Sequence, residues 1–359
     1  MRFFKFQPQT GNKKLATYRF IFYISVVKWS LAVFFSIFIA VFPVSAQTFK
    51  LPTANRSIFK LNEQDQYFCP TVGRTWESGT FGCVRSEGWQ MHEGIDIRSI
   101  ERDKNGEPTD PVRATADGIV VYINGNPTLS NYGNYIVLQH WIDGLEIYSL
   151  YAHLSRIRSG LKPGQTVKAG EAIALMGRTA NTRQSISRER AHLHFELNLL
   201  VNERFEDWHR KYYAGTNYHG IWNGQNLLGL DSRLALLVSH REGDQFNLVK
   251  WIQQQPELFR VQVRKTNFPW LKRYTALVAP PPHGNHGIAG YELVLNYNGV
   301  PIRAIPLPEE ALKSRNKYHL VSVNADEYKV NPCRKLVRRK GKQWELGENG
   351  VRLLDLLTH

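Results

Sequence analysis

Short β-like runs dominate residues 69–200 of this chain and limit the folds that it can adopt. The runs are rich in Val, Ile and Tyr, and Gly, Asn and Asp separate them. They include GIVVYI (118–123), NYIVLQH (134–140), LEIYSLYAHL (145–154) and EAIALMG (171–177). Residues that are β-branched or aromatic favour strands, and turn residues end them. The sequence therefore predicts a mainly β domain in this span.

The length of 359 residues predicts two domains. A hydrophobic content of 42% excludes global disorder. We place a lead-in segment at 47–68, the first domain at 69–235 and an accessory region of unassigned role at 240–359. That region has a possible amphipathic helix at 245–259 and the β-like runs YELVLNY (291–297) and YHLVSV (318–323). It is predicted to be smaller and mixed α+β.

The N-terminus has the features of an export signal. Residues 1–30 contain six Lys or Arg and no Asp or Glu, and an apolar run from Leu31 to Ala46 follows. Val44 and Ala46 would be the small residues at −3 and −1 of a cleavage site. We predict a signal peptide at 1–46 and a location in the periplasm or outside the cell. The alternative is an uncleaved membrane anchor.

Charge and cysteine content restrict partners and cross-links. The formal net charge of +15 favours contact with anionic surfaces of the cell envelope. We expect no nucleic-acid partner, because the net charge is the one feature of the sequence that would support such a role. Three cysteines are too few for a disulfide-built scaffold. Cys69 and Cys83 are predicted to pair, which leaves Cys333 over; the alternative is three free thiols.

The segment H-E-G-I-D, from His92 to Asp96, carries a possible pair of metal ligands. On an extended strand these two side chains share a face but stand ~13 Å apart. They meet on one ion only if the chain bends, and Gly94 permits a bend at low cost. The alternative is a turn with an incidental His and Asp.

A second segment, A-H-L-H-F-E-L, alternates with period two. His192, His194 and Glu196 therefore share one face of a strand whose other face is apolar. His153, in Y-A-H-L, ends another apolar run. A catalytic zinc site needs three protein ligands and an open position. His92, Asp96 and either histidine of the pair would supply them; otherwise these histidines are structural.

The three segments, in this order, resemble the lysostaphin-type (LytM-like) zinc endopeptidases of peptidoglycan. The sequence between and around these segments is also similar to the family, in YGNYIVLQH, YAHLSRI and KPGQTVKAGEAIALMG. The resemblance covers about 69–200 and is densest over 92–197, whereas nothing after about 235 resembles the family. It implies an antiparallel β-sheet domain with a substrate groove.

The resemblance also implies roles for individual residues. His92, Asp96 and His194 would bind one Zn²⁺ per chain, and His153 and His192 would be the catalytic pair. The choice of His194 over His192 as ligand rests on the family pattern alone. Which of His153 and His192 acts as base stays open.

Two segments depart from the family pattern. A charged insertion, IERDKNGEPTD, occupies 100–110, and the connector TANTRQSISRERA at 179–191 is longer and more basic than usual. Arg183, Arg188 and Arg190 are predicted to bind carboxylates of stem peptides, since Arg does so in bidentate fashion. The alternative is that they are solvated surface residues.

These observations predict a secreted zinc metalloendopeptidase that hydrolyses peptide bonds in peptidoglycan. One alternative is a non-catalytic protein that activates other cell-wall hydrolases, as relatives without zinc ligands do. Another is a secreted protease that acts on other proteins. The full ligand set favours the enzyme. No recognisable motif encodes which bond is cut, whether the cell wall is the cell's own or foreign, or the oligomeric state.

Overall fold

The computed structural model describes residues 49–182, 185–281 and 287–359. The predicted signal peptide lies outside them. The strands are β1 (Gly82–Arg85), β2 (Gln90–His92), β3 (Ile95–Arg98), β4 (Pro111–Arg113), β5 (Gly118–Asn124), β6 (Tyr135–Ile142), β7 (Leu145–Ala152), β8 (Arg156–Ile157), β9 (Thr166–Val167), β10 (Ala172–Leu175), β11 (His192–Leu200), β12 (Leu227–Leu230), β13 (Phe259–Val263), β14 (Gly290–Leu295), β15 (Pro301–Leu307), β16 (Tyr318–Val323), β17 (Val337–Lys340) and β18 (Gln343–Leu346). The helices are α1 (Gln64–Tyr67), α2 (Phe205–Tyr212), α3 (Ser232–Glu242), α4 (Leu248–Gln253), α5 (Pro269–Arg273), α6 (Ala325–Val330) and α7 (Glu348–Thr358).

A seven-stranded antiparallel sheet forms the centre of the first half of the fold. Its order is β12-β11-β7-β6-β5-β9, and β3 adds to β11. The strands β5, β6, β7 and β10 overlap the four runs from which strands were predicted, and β5 and β6 extend one and two residues beyond them. A three-stranded sheet, β4-β10-β8, completes this part. The prediction of a mainly β, antiparallel fold is confirmed.

Strand β11 is buried along its whole length. One edge pairs with β7, and the other edge is shared by β3 over 192–195 and β12 over 197–200. Leucine and phenylalanine side chains alternate with the polar ones, so one face of β11 joins the core. Because every residue of β11 is buried, its polar face is enclosed as well as its apolar face.

The C-terminal part is mixed α+β, as predicted. It contains a four-stranded sheet, β15-β14-β13-β16, and the hairpin β17-β18. Its core is continuous with that of the first half: Phe81 and Leu228 belong to the same buried cluster as Leu293 and Leu353. The described residues form one compact unit. The division of roles between 69–235 and 240–359 stays a prediction.

The predicted Cys69–Cys83 disulfide is wrong. Cys83 is bonded to Cys333, with 5.5 Å between their Cα atoms and 250 residues between them in sequence. Cys69 is buried and free, and its backbone N–H donates to Asp96 O at 2.8 Å. Because β3 holds Cys69 beside the central sheet while β1 brings Cys83 to the C-terminal part, closeness in sequence did not indicate the partner.

The helix predicted at 245–259 is shorter than expected. Helix α4 covers only Leu248–Gln253, with the Asn247 side chain accepting from the Lys250 N–H at its start. Pro256 follows closely, and proline removes a backbone donor and disfavours the helix before it. Across the described parts of the chain, no helix has the length and apolar character needed to cross a bilayer.

Candidate metal centre

Three side chains predicted as metal ligands come together in the structure. His92 Nε2 lies 3.2 Å from Asp96 Oδ1 and 3.2 Å from His194 Nδ1. His194 Nδ1 lies 2.9 Å from Asp96 Oδ1. Donors bound at zinc distances in a tetrahedral site stand roughly 3.4 Å apart. Two imidazole nitrogens and a carboxylate oxygen are also ligands that zinc prefers, so the residues present fit a zinc ion.

Strand pairing explains how the ligands meet. Asp96 in β3 stands directly opposite His194 in β11, and β2 ends at His92. The chain bends at Gly94 between β2 and β3, as predicted, although the φ of this residue is not positive. A Cβ at Gly94 would also lie 2.5 Å from Phe195 O and 3.0 Å from His194 Nε2. Glycine is therefore required here because β11 approaches closely.

Hydrogen bonds orient the two candidate histidine ligands. His92 Nδ1–H donates to Thr80 O at 2.7 Å, which leaves the Nε2 lone pair free for a metal. His194 Nε2–H donates to Glu196 Oε1 at 2.8 Å and so presents Nδ1. Ligand histidines in metal sites usually donate their second nitrogen to a carboxylate or carbonyl in this way. Glu196, which had no predicted role, is thus a positioning residue.

Tyr132 belongs to this arrangement and was missed from the sequence. Its hydroxyl donates to Glu196 Oε1 at 2.7 Å, and its ring centroid lies 5.5 Å from that of His194. Asn198 Nδ2 donates to Glu196 Oε2 at 2.7 Å. Tyr132 stands in the YGNYIVLQH segment that resembles the family, which was the available signal.

The buried carboxylates of the site are ionised. Burial alone would raise the pKa of Asp96, but His192 and His92 hold it well below its usual range. Burial likewise opposes the ionisation of Glu196, yet hydrogen bonds from His194, Tyr132 and Asn198 lower its pKa. Burial would lower the pKa of His194, whereas the bonds to Asp96 and Glu196 raise it to about 10. The two carboxylates therefore favour a positive charge on the His194 ring.

His153 and His192 lie beside the candidate ligands with their rings 4.9 Å apart between centroids. His153 Nδ1–H donates to Thr179 O at 2.9 Å, and His192 Nδ1–H donates to Arg190 O at 2.6 Å. Carbonyl oxygens only accept, so Nε2 of each ring is an acceptor. Burial, together with neighbouring histidines, lowers the pKa of both rings. Both are neutral at pH 7 and able to accept a proton.

The backbone at His153 is in the left-handed region, with φ of 61°. Non-glycine residues adopt this conformation rarely. Two contacts hold it: the backbone N–H donates to Tyr132 O at 2.8 Å, and the ring is bonded to Thr179. This conformation turns the chain as β7 ends and brings the His153 ring to the face of β11.

Arg85 also reaches the site, and no sequence signal identified it. Its guanidinium Nη2 donates to Asp96 Oδ2 at 2.6 Å and lies 3.0 Å from His92 Nε2. Its Nε is buried and has no partner among the described residues. A fixed positive charge therefore lies against two of the three candidate ligands.

Hydrogen bonds join the charged insertion at 100–110 to the basic connector at 179–191. Arg188 Nε donates to Glu107 Oε1 of the insertion at 3.1 Å, and Arg102 Nη1 donates to Arg188 O at 2.7 Å. Arg190 Nε donates to Pro70 O at 3.0 Å. Arg183 lies outside the described residues. The carboxylate-binding role of the three arginines stays a prediction, and Arg188 and Arg190 have intramolecular partners.

Known proteins are similar to this chain over the same region. The model of "Peptidase family M23" matches residues 90–206. "Murein hydrolase activator NlpD" of Escherichia coli is 40% identical over 128 residues, which are 36% of this chain and 27% of that protein. "DD-carboxypeptidase/endopeptidase Mpg" of Neisseria meningitidis serogroup B is 31% identical over 111 residues, 31% of this chain and 21% of that protein.

Among solved structures, the catalytic domain of lysostaphin from Staphylococcus simulans is 26% identical, with a TM-score of 0.24. The match covers 37% of this chain and 75% of that one. The matches to the curated relatives span only about a quarter of those proteins' lengths. The family match includes every candidate ligand and both neighbouring histidines. Residues 90–206 of this chain are therefore similar to peptidase family M23.

Proposed function

We propose that this chain is an exported zinc metalloendopeptidase that hydrolyses peptide bonds in the stem peptides or cross-links of peptidoglycan. The observation that carries the proposal is the convergence of His92, Asp96 and His194 beside two neutral histidines. The peptidoglycan-related names of the relatives support the substrate class.

Bound zinc would polarise the scissile carbonyl and lower the pKa of water. His92, Asp96 and His194 would hold the ion, and Glu196 would keep the His194 ring in its orientation. His153 and His192, each with an accepting Nε2, would take a proton from the attacking water and return it to the leaving amine. Protonated, the same rings would stabilise the negative charge that develops on the carbonyl oxygen. Each ring is bonded through Nδ1 to a carbonyl oxygen, so both are candidates for the base, and His192 Nε2 also lies 3.5 Å from Asp96 Oδ2.

A second candidate function is activation of other cell-wall hydrolases without catalysis. The similarity to a protein named as a murein hydrolase activator favours it. Arg85 favours it as well. Its guanidinium contacts His92 Nε2 and the Asp96 carboxylate, the groups that a zinc ion would need as ligands. The presence of all three ligands and of both His153 and His192 weighs for the enzyme. A secreted protease acting on other proteins would use the same site.

Incubation of the purified chain with defined muropeptides tests the proposal. Product masses should show hydrolysis of a peptide bond, which a chelator abolishes and added zinc restores. An activator would leave muropeptides intact but raise the rate of a second hydrolase. A secreted protease that acts on other proteins would cleave casein and spare the muropeptides. N-terminal sequencing of exported protein should give Gln47; a chain that starts near Met1 in the membrane fraction would support the anchor.

A further inference from the structure

A cavity of about 660 Å³ lies between the central sheet and the C-terminal part. Glu93 and Tyr132 line one side, and Asn298 and Arg334 line the other. The cavity borders the candidate metal centre, because Glu93 directly follows the ligand His92 and Tyr132 is bonded to Glu196. Asn298, Arg334 and five other lining residues come after residue 235, where the chain does not resemble the family.

Several polar groups on the wall have no protein partner. The Arg334 guanidinium makes no hydrogen bond or ion pair with any described residue, and its Nε is shielded from solvent. The Glu93 carboxylate likewise has no such partner in the described segments. Asn298 donates through Nδ2 to Gly229 O at 2.7 Å, but its buried Oδ1 accepts nothing from the described residues. Unpaired buried groups are costly, and a ligand would satisfy them.

The two charges face a common space without pairing. Burial lowers the pKa of Arg334, and the field of Glu93 opposes that change. Both side chains line the cavity, yet they form no ion pair with each other. An unpaired cation and an unpaired anion in one cavity suit a ligand that carries both charges. A guanidinium binds a carboxylate in bidentate fashion, and a carboxylate binds an ammonium group.

Aromatic side chains form part of the otherwise mainly polar cavity wall. Trp208, Tyr213 and Tyr218 line it beside Tyr132. Trp208 is held in place by its Nε1–H bond to Arg352 O at 2.9 Å. Aromatic side chains beside fixed polar groups are found in many small-ligand sites. Methylene groups of a ligand would pack there while its charged end reaches Arg334 and Glu93.

We propose that this cavity binds a zwitterionic amino-acid group, with its carboxylate on Arg334 and its ammonium on Glu93. In a peptide substrate such a group is the side-chain end of a diamino dicarboxylic acid. The identity of the ligand as part of a stem peptide rests on the proposed function. The site itself does not, because binding needs no hydrolysis.

Calorimetric titration of the full mature chain with three synthetic tripeptides tests the assignment. The third residue is 2,6-diaminopimelic acid, 2-aminopimelic acid, which lacks the side-chain ammonium, or lysine, which lacks the side-chain carboxylate. Arg334→Gln should weaken binding of the two probes with a side-chain carboxylate roughly 10- to 100-fold and spare the lysine probe. Glu93→Gln should weaken the two probes with a side-chain ammonium and spare the aminopimelic probe. Arg339→Gln, an exposed arginine of β17, is the matched control and should change nothing.

The pattern across probes separates recognition from damage to the fold. If Arg334→Gln and Glu93→Gln weaken all three probes equally, or neither changes any of them, the proposal is wrong. A zwitterion can also chelate zinc, so binding is repeated in Asp96→Ala, where the diaminopimelic probe should still bind. Binding that disappears with the metal would overturn the proposal. Muropeptide cleavage without probe selectivity would refute this site alone, and selective binding without cleavage would refute only the enzyme.

Discussion

Glu196→Gln is a sharp test of how the centre is organised. The Glu196 carboxylate is buried, and it accepts from His194, Tyr132 and Asn198. Glutamine has nearly the same shape but no charge. The amide nitrogen of the new glutamine would face Asn198, whose Oδ1 has no partner in the described residues. If the Asn198 side-chain amide rotates by 180°, this Oδ1 can accept a hydrogen bond from the glutamine. The variant should therefore fold while His194 loses an ionised partner.

The expected cost is a loss of metal affinity. Removal of a carboxylate that orients a ligand histidine typically weakens metal binding 10- to 100-fold. This is about 1.4–2.7 kcal/mol of binding free energy. Tyr132→Phe is the matched control, since it removes one hydrogen bond to the same carboxylate and keeps the charge. Its effect should be less than that of Glu196→Gln, about 3- to 10-fold, because the carboxylate keeps its charge and its bonds to His194 and Asn198.

Competition with a chromophoric zinc chelator measures both constants, and circular dichroism checks the fold. Glu196→Gln should show the weaker binding with an unchanged spectrum. If Glu196→Gln binds zinc within twofold of the unmodified chain, the carboxylate does not support His194 and the assigned orientation is wrong. A larger loss in Tyr132→Phe than in Glu196→Gln would also contradict the reasoning.

Three further predictions test other parts of the site and fold. His153→Ala and His192→Ala should keep zinc and lower muropeptide turnover by ~10²–10⁴, measured by product masses; unchanged turnover in both would remove them from the mechanism. Arg85→Ala should tighten zinc binding roughly tenfold in the chelator assay, because a like charge leaves the site; weaker binding would show that Arg85 supports the centre. Cys333→Ser should lower the free energy of unfolding by about 2–5 kcal/mol in urea titrations, whereas Cys69→Ala should cost less; the opposite order would contradict the Cys83–Cys333 bond.

Local pattern was enough to predict the strand that carries the site. Alternation in A-H-L-H-F-E-L placed His192, His194 and Glu196 on one face, and β11 has them there. Pairing of β11 with β3 and β7 is a tertiary fact that alternation does not specify. The family resemblance supplied it indirectly, by grouping His92 and Asp96 with His194.

What the sequence did not reveal depends on contacts between distant segments. Arg85 lies in a short strand outside the motifs, and only the pairing of β1 with β2 brings it to Asp96. The Cys83 partner is 250 residues away, so local spacing favoured Cys69 instead. No motif identified Arg334, and its place in the cavity follows from the packing of the C-terminal part on the central sheet.

Zinc content of two single variants tests the central claim most directly. His194→Ala and His192→Ala change neighbouring positions on one face of β11, so each is a control for the other. Elemental analysis after gel filtration should find one zinc per chain in the unmodified protein and in His192→Ala, and none in His194→Ala. Zinc-free His192→Ala beside loaded His194→Ala would reverse the two roles. Zinc retained by both variants would contradict the assignment of the metal centre.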